Sequence, residues 1–206
     1  MKRLELIRIL KVKFELGLFD DPFPNPSLKN GFGSAKFREL NLQAARESLT
    51  LLKNENYILP LDRKIKVLVT GPSAAKLSYL NGGWTITWQG DREELYPTEE
   101  FTVLKAIQDK IGKSKVIYEP GVTVDREIDI PAAVKAARGV DAVIVCAGEK
   151  TYCETSGNIT DLTLSEPQLK LIEALSQLKK PIILVLLEGR PRVITVSYTH
   201  LTLPTN

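Results

Sequence analysis

The sequence predicts an α/β fold, a mostly parallel sheet sandwiched between helices on both faces and preceded by one helix and a linker. Four short strand-like runs, 65–71, 115–119, 141–147 and 181–189, recur along the chain. Helical-period segments separate them at 98–111, 130–138 and 165–178. Three of the four runs are nearly continuous apolar stretches, as expected of parallel strands buried on both faces. Such an alternation implies right-handed crossovers and helices on both sides of the sheet.

The elements follow in order. Leu4 to Leu16 places Leu4, Ile7, Leu10 or Lys11, and Phe14 at helical spacing, which predicts an amphipathic helix stopped at Gly17. FDDPFPNPSLKNGFGS is rich in proline and glycine and reads as an irregular linker. A second helix is expected from about Ser34 to Asn54, with Ala44, Ala45, Leu49 and Leu52 near one face, packed on the sheet that follows; Pro60 closes the stretch after it. IKVLVTG is the first strand, 98–111 a helix with Leu104, Ile107 and Ile111 inward, and KVIYE the second strand. An alanine-rich helix, Ile130 to Arg138, precedes the strand DAVIVCA. The last helix, 165–178, turns Leu171, Ile172, Leu175 and Leu178 inward, and Ser165 with Gln168 has the spacing of a capping box. PIILVLLEG is the fourth strand.

Composition excludes several classes. Of 206 residues, 28 are basic and 25 acidic, a net charge of +3 with no basic clustering, so a nucleic-acid partner is not expected. Two cysteines, Cys146 and Cys153, and a single histidine, His200, make neither a disulfide framework nor a zinc site, and no metal or cofactor is implied. Cys146, inside an apolar strand, reads as a small buried hydrophobe. No apolar run approaches the roughly 20 residues of a membrane span, and residues 1–18 lack the continuous apolar centre of a signal peptide. The uncharged tail VSYTHLTLPTN (196–206) resembles translated sequencing-adapter read-through, the alternative being an ordinary strand and tail; on the first reading it is set aside as non-native, and His200 inside it has no function.

In a parallel sheet all carboxyl ends share one edge, where ligands bind. That edge should carry Trp84 and Trp88 after the first strand, Glu149 and Glu154 after the third, and Glu188 and Arg190 after the fourth. Two tryptophans four residues apart among Gly82, Gly83 and Gly90 could stack on sugar faces; they could equally anchor the loop on the sheet. Glu154 stands in a polar loop bounded by glycines, near Tyr152 and Asn158, where a carboxylate could be held above the sheet edge or simply be solvated. Asn158-Ile159-Thr160 spells a glycosylation acceptor, a pattern common by chance.

LNGGWTITWQG, GEKTYCETSGNITDLTL and KPIILVLLEGRPRVI, in this order, resemble the α/β-sandwich domain of glycoside hydrolase family 3. FELGLFDDPFPNP and ARESLTLLKNENYILPL resemble the segment that joins that family's barrel to its sandwich. The resemblance spans about Leu4 to Ile194. It implies 1–19 as the last helix of a (β/α)8 barrel, 20–33 as linker and 34–195 as the sandwich domain. It further implies a retaining β-glycosidase acting on β-linked glucosides or related oligosaccharides. The family's acid/base glutamate, in Gly-Glu-x-x-Tyr-x-Glu-Thr, falls on Glu154; its aglycone-side tryptophan falls on Trp88, and Trp84 matches a tryptophan taken as mainly structural. The nucleophilic aspartate belongs to the N-terminal barrel, the missing partner domain, so the chain alone is expected to hydrolyse nothing. A retaining enzyme needs both carboxyls, about 5–5.5 Å apart. The competing reading is a non-catalytic carbohydrate-binding or scaffolding domain that uses Trp84 and Trp88. A nucleotide-binding domain is disfavoured because GPSAAKL, not a glycine-rich phosphate loop, follows the first strand.

Overall fold

A computed structural model describes residues 2–194. The tail set aside above, with His200, lies outside the described residues. The chain divides into two compact units, Met1–Glu55 and Asn56–Asn206.

In the first unit, α1 spans Lys2–Glu15. Gly17, left-handed at φ +67°, ends it, and the N–H groups of Gly17 and Leu18 return to the carbonyls of Phe14 and Lys13 at 3.0 and 3.1 Å. The expected single apolar face is a misreading. Leu6, Ile9 and Val12 lie opposite Leu4, Ile7 and Phe14, and all six are more than half exposed. The apolar residues of α1 are thus spread around the helix among charged ones, Glu5, Arg8, Lys11, Lys13 and Glu15, instead of forming one stripe.

α2 (Ala35–Ser48) begins next to Ser34, as expected, but stops short of Asn54. Ser48 Oγ donates to the Ala45 carbonyl at 2.8 Å, occupying a last-turn acceptor, and Leu49 turns to extended backbone. Within this unit no residue of α2 is buried, and of the four residues expected on one face only Ala44 and Ala45 belong to the helix, Leu49 and Leu52 lying beyond its end.

The second unit is a four-stranded parallel sheet, β1 (Val67–Thr70), β2 (Val116–Tyr118), β3 (Ala142–Gly148) and β4 (Ile182–Leu187), in the order β2-β1-β3-β4. Val67 faces Val116 on one side and Ala142 on the other, and Val143 faces Ile182. Side-chain alternation divides the strands between two cores. Leu68, Val143, Val145 and Ala147 meet Ala133 and Ala137 of α4 (Ile130–Arg138) and Leu171, Ile172 and Leu175 of α5 (Glu166–Ser176). Val67, Val69, Ala142, Ile144 and Cys146 meet Val103, Leu104, Ile107 and Ile111 of α3 (Val103–Ile111). Each fully buried aliphatic side chain contributes about 1.5–3 kcal/mol, so both faces are held and the helices lie on both sides as predicted.

One helix start and one helix cap differ from expectation. α3 begins at Val103 rather than near Thr98, because Thr102 caps it by accepting from the Lys105 N–H at 3.1 Å. The Ser165–Gln168 capping box does not form. Gln168, buried, accepts from the Gly148 N–H at 2.9 Å and donates to the Gly148 carbonyl at 3.0 Å. β1 pairs with β3 only as far as Thr70 opposite Val145, so beyond that register a side-chain amide stands in for the absent strand.

The chain leaves β1 for β2 on one side of the sheet and leaves β3 for β4 on the other. The carboxyl ends of β1 and β3 are therefore neighbours whose loops diverge, the switch point at which open α/β sheets bind ligands.

Candidate active site

Both loops that carry predicted site residues start at this switch point. After β1, the segment 71–102 presents Trp84 and Trp88, 70% and 50% exposed. Their ring centroids are 6.5 Å apart at 45°, and the Trp84 N–H donates to the Trp88 carbonyl at 2.8 Å. Neither ring is an anchor packed into the sheet. After β3, Glu154 opens a short 3-10 turn, Glu154–Gly157, and is exposed. Among the described residues no hydrogen bond or ion pair occupies its carboxylate.

The two loops are joined by the residues just before Glu154 and just after Trp88. Cys153, extended at φ −142° and ψ 142°, donates its N–H to Gln89 Oε1 at 2.9 Å and accepts from Gln89 Nε2 at 3.2 Å. Thr151 Oγ1 donates to the Ser78 carbonyl. Gly83 lies so close that a Cβ there would meet Cys153 Cβ at 2.5 Å. The β1 loop is itself pinned by Glu93, whose carboxylate accepts from the Leu77 and Ser78 N–H groups and from Ser78 Oγ. Burial pushes the Glu93 carboxyl up, but those hydrogen bonds outweigh it and hold the group below its ordinary value.

Tyr152, between Thr151 and Cys153, turns the other way, toward the end of β4. Its hydroxyl accepts from Arg190 Nε at 2.7 Å and donates to Glu149 Oε2 at 3.3 Å. The Arg190 guanidinium also lies 4.1 Å from the ring centroid. Glu149, with only 11% of its side chain exposed, pairs with Arg190 at 3.3 Å and Arg192 at 2.9 Å. Arg192 Nη2 reaches the Thr163 carbonyl at 2.6 Å, tying the far end of the Glu154 loop to the same cluster. Burial raises the Glu188 carboxyl above its ordinary value; the Arg192 N–H opposes this and the Glu149 charge adds to it. A Cβ on Gly157 would stand 2.2 Å from Tyr152 Cδ2, so the Glu154 turn closes directly onto the tyrosine ring.

The rim residues foreseen from sequence thus fall into two groups. Glu149 and Arg190 are partners in an ion-pair cluster, with Glu188 beside it accepting the Arg192 N–H at 3.3 Å, and Trp84, Trp88 and Glu154 are presented outward. A cavity of about 530 Å³ opens between the loops after β1, β3 and β4, lined by Tyr79, Asn81, Glu149, Tyr152 and Glu188 among others; neither Glu154 nor Trp88 lines it. Gln89, Gln168 and Arg192 were not foreseen. Gln89 stands beside Trp88 in the same motif, but nothing in its spacing marks a side chain that bonds to backbone some sixty residues away.

Residues 49–201 match the model of the glycosyl hydrolase family 3 C-terminal domain. A lysosomal beta glucosidase of Dictyostelium discoideum is 38% identical over 205 residues, covering 93% of this chain and 24% of that protein. A beta-xylosidase of Formosa agariphila is 35% identical over 204 residues, covering 96% of this chain and 28% of the relative. The β-glucosidase of Listeria innocua, solved with glucose, superposes with a TM-score of 0.78 at 24% identity, over 94% of this chain and 26% of that one, and so shares the fold. The chain therefore spans about a quarter of the length of these relatives. No helix among the described residues is long and apolar enough to cross a membrane. With residues 49–201, most of this chain, matched to the family's domain and a relative 38% identical over 93% of the chain, the chain belongs to glycoside hydrolase family 3 and carries its C-terminal domain.

Proposed function

We propose that this chain supplies the acid-donating half of a retaining β-glycosidase site. Glu154 protonates the departing glycosidic oxygen and then, as a base, activates the water that releases the sugar. Trp88 forms a flat wall for the leaving group, and a carboxylate nucleophile comes from an N-terminal barrel. One observation supports this above the others: Glu154 is held on a left-handed, non-glycine backbone, φ +54°, with its carboxylate bare and its loop fastened at both ends. Non-glycine residues in this region cost roughly 1–3 kcal/mol and persist where surrounding structure over-determines them. Glu149 is not available as the second carboxyl, being committed to Arg190, Arg192 and Tyr152. The names of the relatives, a beta glucosidase and a beta-xylosidase, support a β-linked glycoside as substrate.

The exposed Trp84–Trp88 pair favours the second reading, a saccharide-binding module without catalysis. Three measurements bear on the two readings. In the barrel-bearing enzyme, Glu154→Gln is expected to lower turnover of cellobiose-like substrates by roughly 10²–10⁴ while sparing the first step on activated aryl glycosides. Unchanged turnover on cellobiose-like substrates removes Glu154 from the mechanism. The chain by itself is expected to release no p-nitrophenol from aryl glucosides. Oligosaccharide-dependent tryptophan emission from the chain alone would favour the binding module.

A further inference from the structure

We propose that Gln89 is a positioning residue that fixes Trp88 and Glu154 to one another, so that the acid and the aglycone wall form one rigid unit. The inference rests on the roles just given to those two residues. Gln89 follows Trp88 directly, and Cys153 precedes Glu154 directly. The Gln89 amide bonds both backbone groups of Cys153, accepting at 2.9 Å and donating at 3.2 Å, as a neighbouring strand would. Only a carboxamide long enough to span the gap offers both a donor and an acceptor in that arrangement. The contact bridges two loops that leave different strands, and no ladder bonds join those loops. Among the described residues, the other contacts between these loops lie at Ser78 and Asn81 with Thr151, at Gly83 with Cys153, and at Gly90 with Thr151, none of them made by a side chain adjacent to Trp88. A misplacement of about 1 Å in a catalytic group costs on the order of 10²-fold in rate, so a clamp at this point sets the distance that proton transfer needs.

The chain contains its own reporter. Of its two cysteines, Cys146 is buried and burial pushes its thiol up to about 12, whereas Cys153 is partly exposed and is the residue that Gln89 holds. Iodoacetamide labelling of the intact chain, read by mass spectrometry, therefore follows Cys153. Gln89→Ala is expected to raise the Cys153 labelling rate about tenfold or more, with Gln89→Glu, which keeps the acceptor but not the donor, between it and the native chain. Far-UV circular dichroism checks that both variants fold, and Gln89→Glu keeps the test open should the alanine variant not. In the barrel-bearing enzyme, Gln89→Ala should lower kcat at least about tenfold more on poor leaving groups than on activated aryl glycosides, with KM for the former raised. A smaller folded fraction would lower both kcat values equally.

An unchanged labelling rate overturns the clamp, whatever Glu154→Gln does. Equal losses on both substrates overturn the positioning role and leave the Glu154 assignment standing. If Glu154→Gln itself costs nothing, the acid/base reading falls and the positioning role with it, while the labelling rate still decides whether the two loops are fastened by Gln89.

Discussion

Gly157→Ala tests whether the Glu154 turn is seated on Tyr152. The new Cβ would stand 2.2 Å from Cδ2 and 2.8 Å from Cε2 of the ring. Ordinary carbon contacts begin near 3.5 Å, so ring and turn must separate by about 1.3 Å. The Arg190 Nε to Tyr152 hydroxyl bond, now 2.7 Å, cannot absorb that movement and remain a hydrogen bond. Overpacking of this kind costs about 1–3 kcal/mol, and a lost bond to a charged group about 1.5–3 kcal/mol. The two are alternatives as much as addends, so the expected loss is about 2–4 kcal/mol. Urea unfolding followed by far-UV circular dichroism reads this as a midpoint lowered by about 1–2 M, given a slope of roughly 2 kcal/mol per molar. Adding Tyr152→Ala removes the ring that is struck, so the double variant should lose clearly less than the sum of the singles. Ser156→Ala, at an exposed neighbouring position, should leave the midpoint in place. A Gly157→Ala midpoint within about 0.3 M of the native one, or strict additivity with Tyr152→Ala, would refute the seating.

Two further outcomes are expected on the same scale of measurement. Glu149→Gln leaves Arg190 and Arg192 facing each other without their counter-charge in a largely buried site; breaking such a pair from one side costs about 3–5 kcal/mol, and a urea midpoint that moves by less than about 0.3 M would mean the cluster contributes nothing. Glu93 is held below its ordinary 4.5 in the folded chain, so its stabilising contribution is complete above that value and is lost as pH falls through the lower, folded one. Glu93→Gln should accordingly weaken the chain at neutral pH and flatten its acid-unfolding limb below pH 4.5; limbs of equal steepness in an acid titration would contradict this.

What the sequence made legible follows the physics of each element. β1 and β3 were readable because burial on both faces demands uninterrupted apolar residues, as Leu68, Val143 and Val145 show; β4 has the same apolar run though it is only partly buried, and the shorter β2 was readable from its β-branched pair, Val116 and Ile117. α4 matched residue for residue because Asp129 caps it and Gly139 ends it. Errors collected where one side chain chooses among backbone partners. Ser48 and Thr102 decided where helices stop and start through bonds that periodicity does not reveal. Gln168 sat at a capping position and instead completed the edge of β3, a choice set by where β1 ends. In the candidate site, motif resemblance pointed to Glu154 and Trp88, but the residues that fasten their loops, Gln89, Tyr152 and Arg192, act through contacts 29 to 64 positions distant or through loop closure. Local sequence carries no trace of such distances.

The distribution of backbone strain argues that these loops are built to present side chains rather than merely to connect strands. Five non-glycine residues among those described have positive φ, and three of them, Trp84, Ile86 and Glu154, lie in the two loops of the switch point. A solvated loop would relax a left-handed glutamate, since that conformation costs about 1–2 kcal/mol and an exposed side chain offers nothing in return. Here the return comes from residues on either side of Glu154. Cys153 is bonded to Gln89, and Gly157 is pressed on Tyr152, which is in turn fixed by Arg190 and Glu149. The polar network spends its bonds on the loop's backbone and on Tyr152, and leaves the Glu154 carboxylate uncommitted. If that arrangement serves an acid, Glu154→Asn, a residue that tolerates left-handed backbone, should keep the fold, with a urea midpoint within about 0.3 M of the native chain, and lose turnover on poor leaving groups as Glu154→Gln does. A variant that unfolds instead would show that the Glu154 side chain holds the turn together, and that the strain is structural rather than functional.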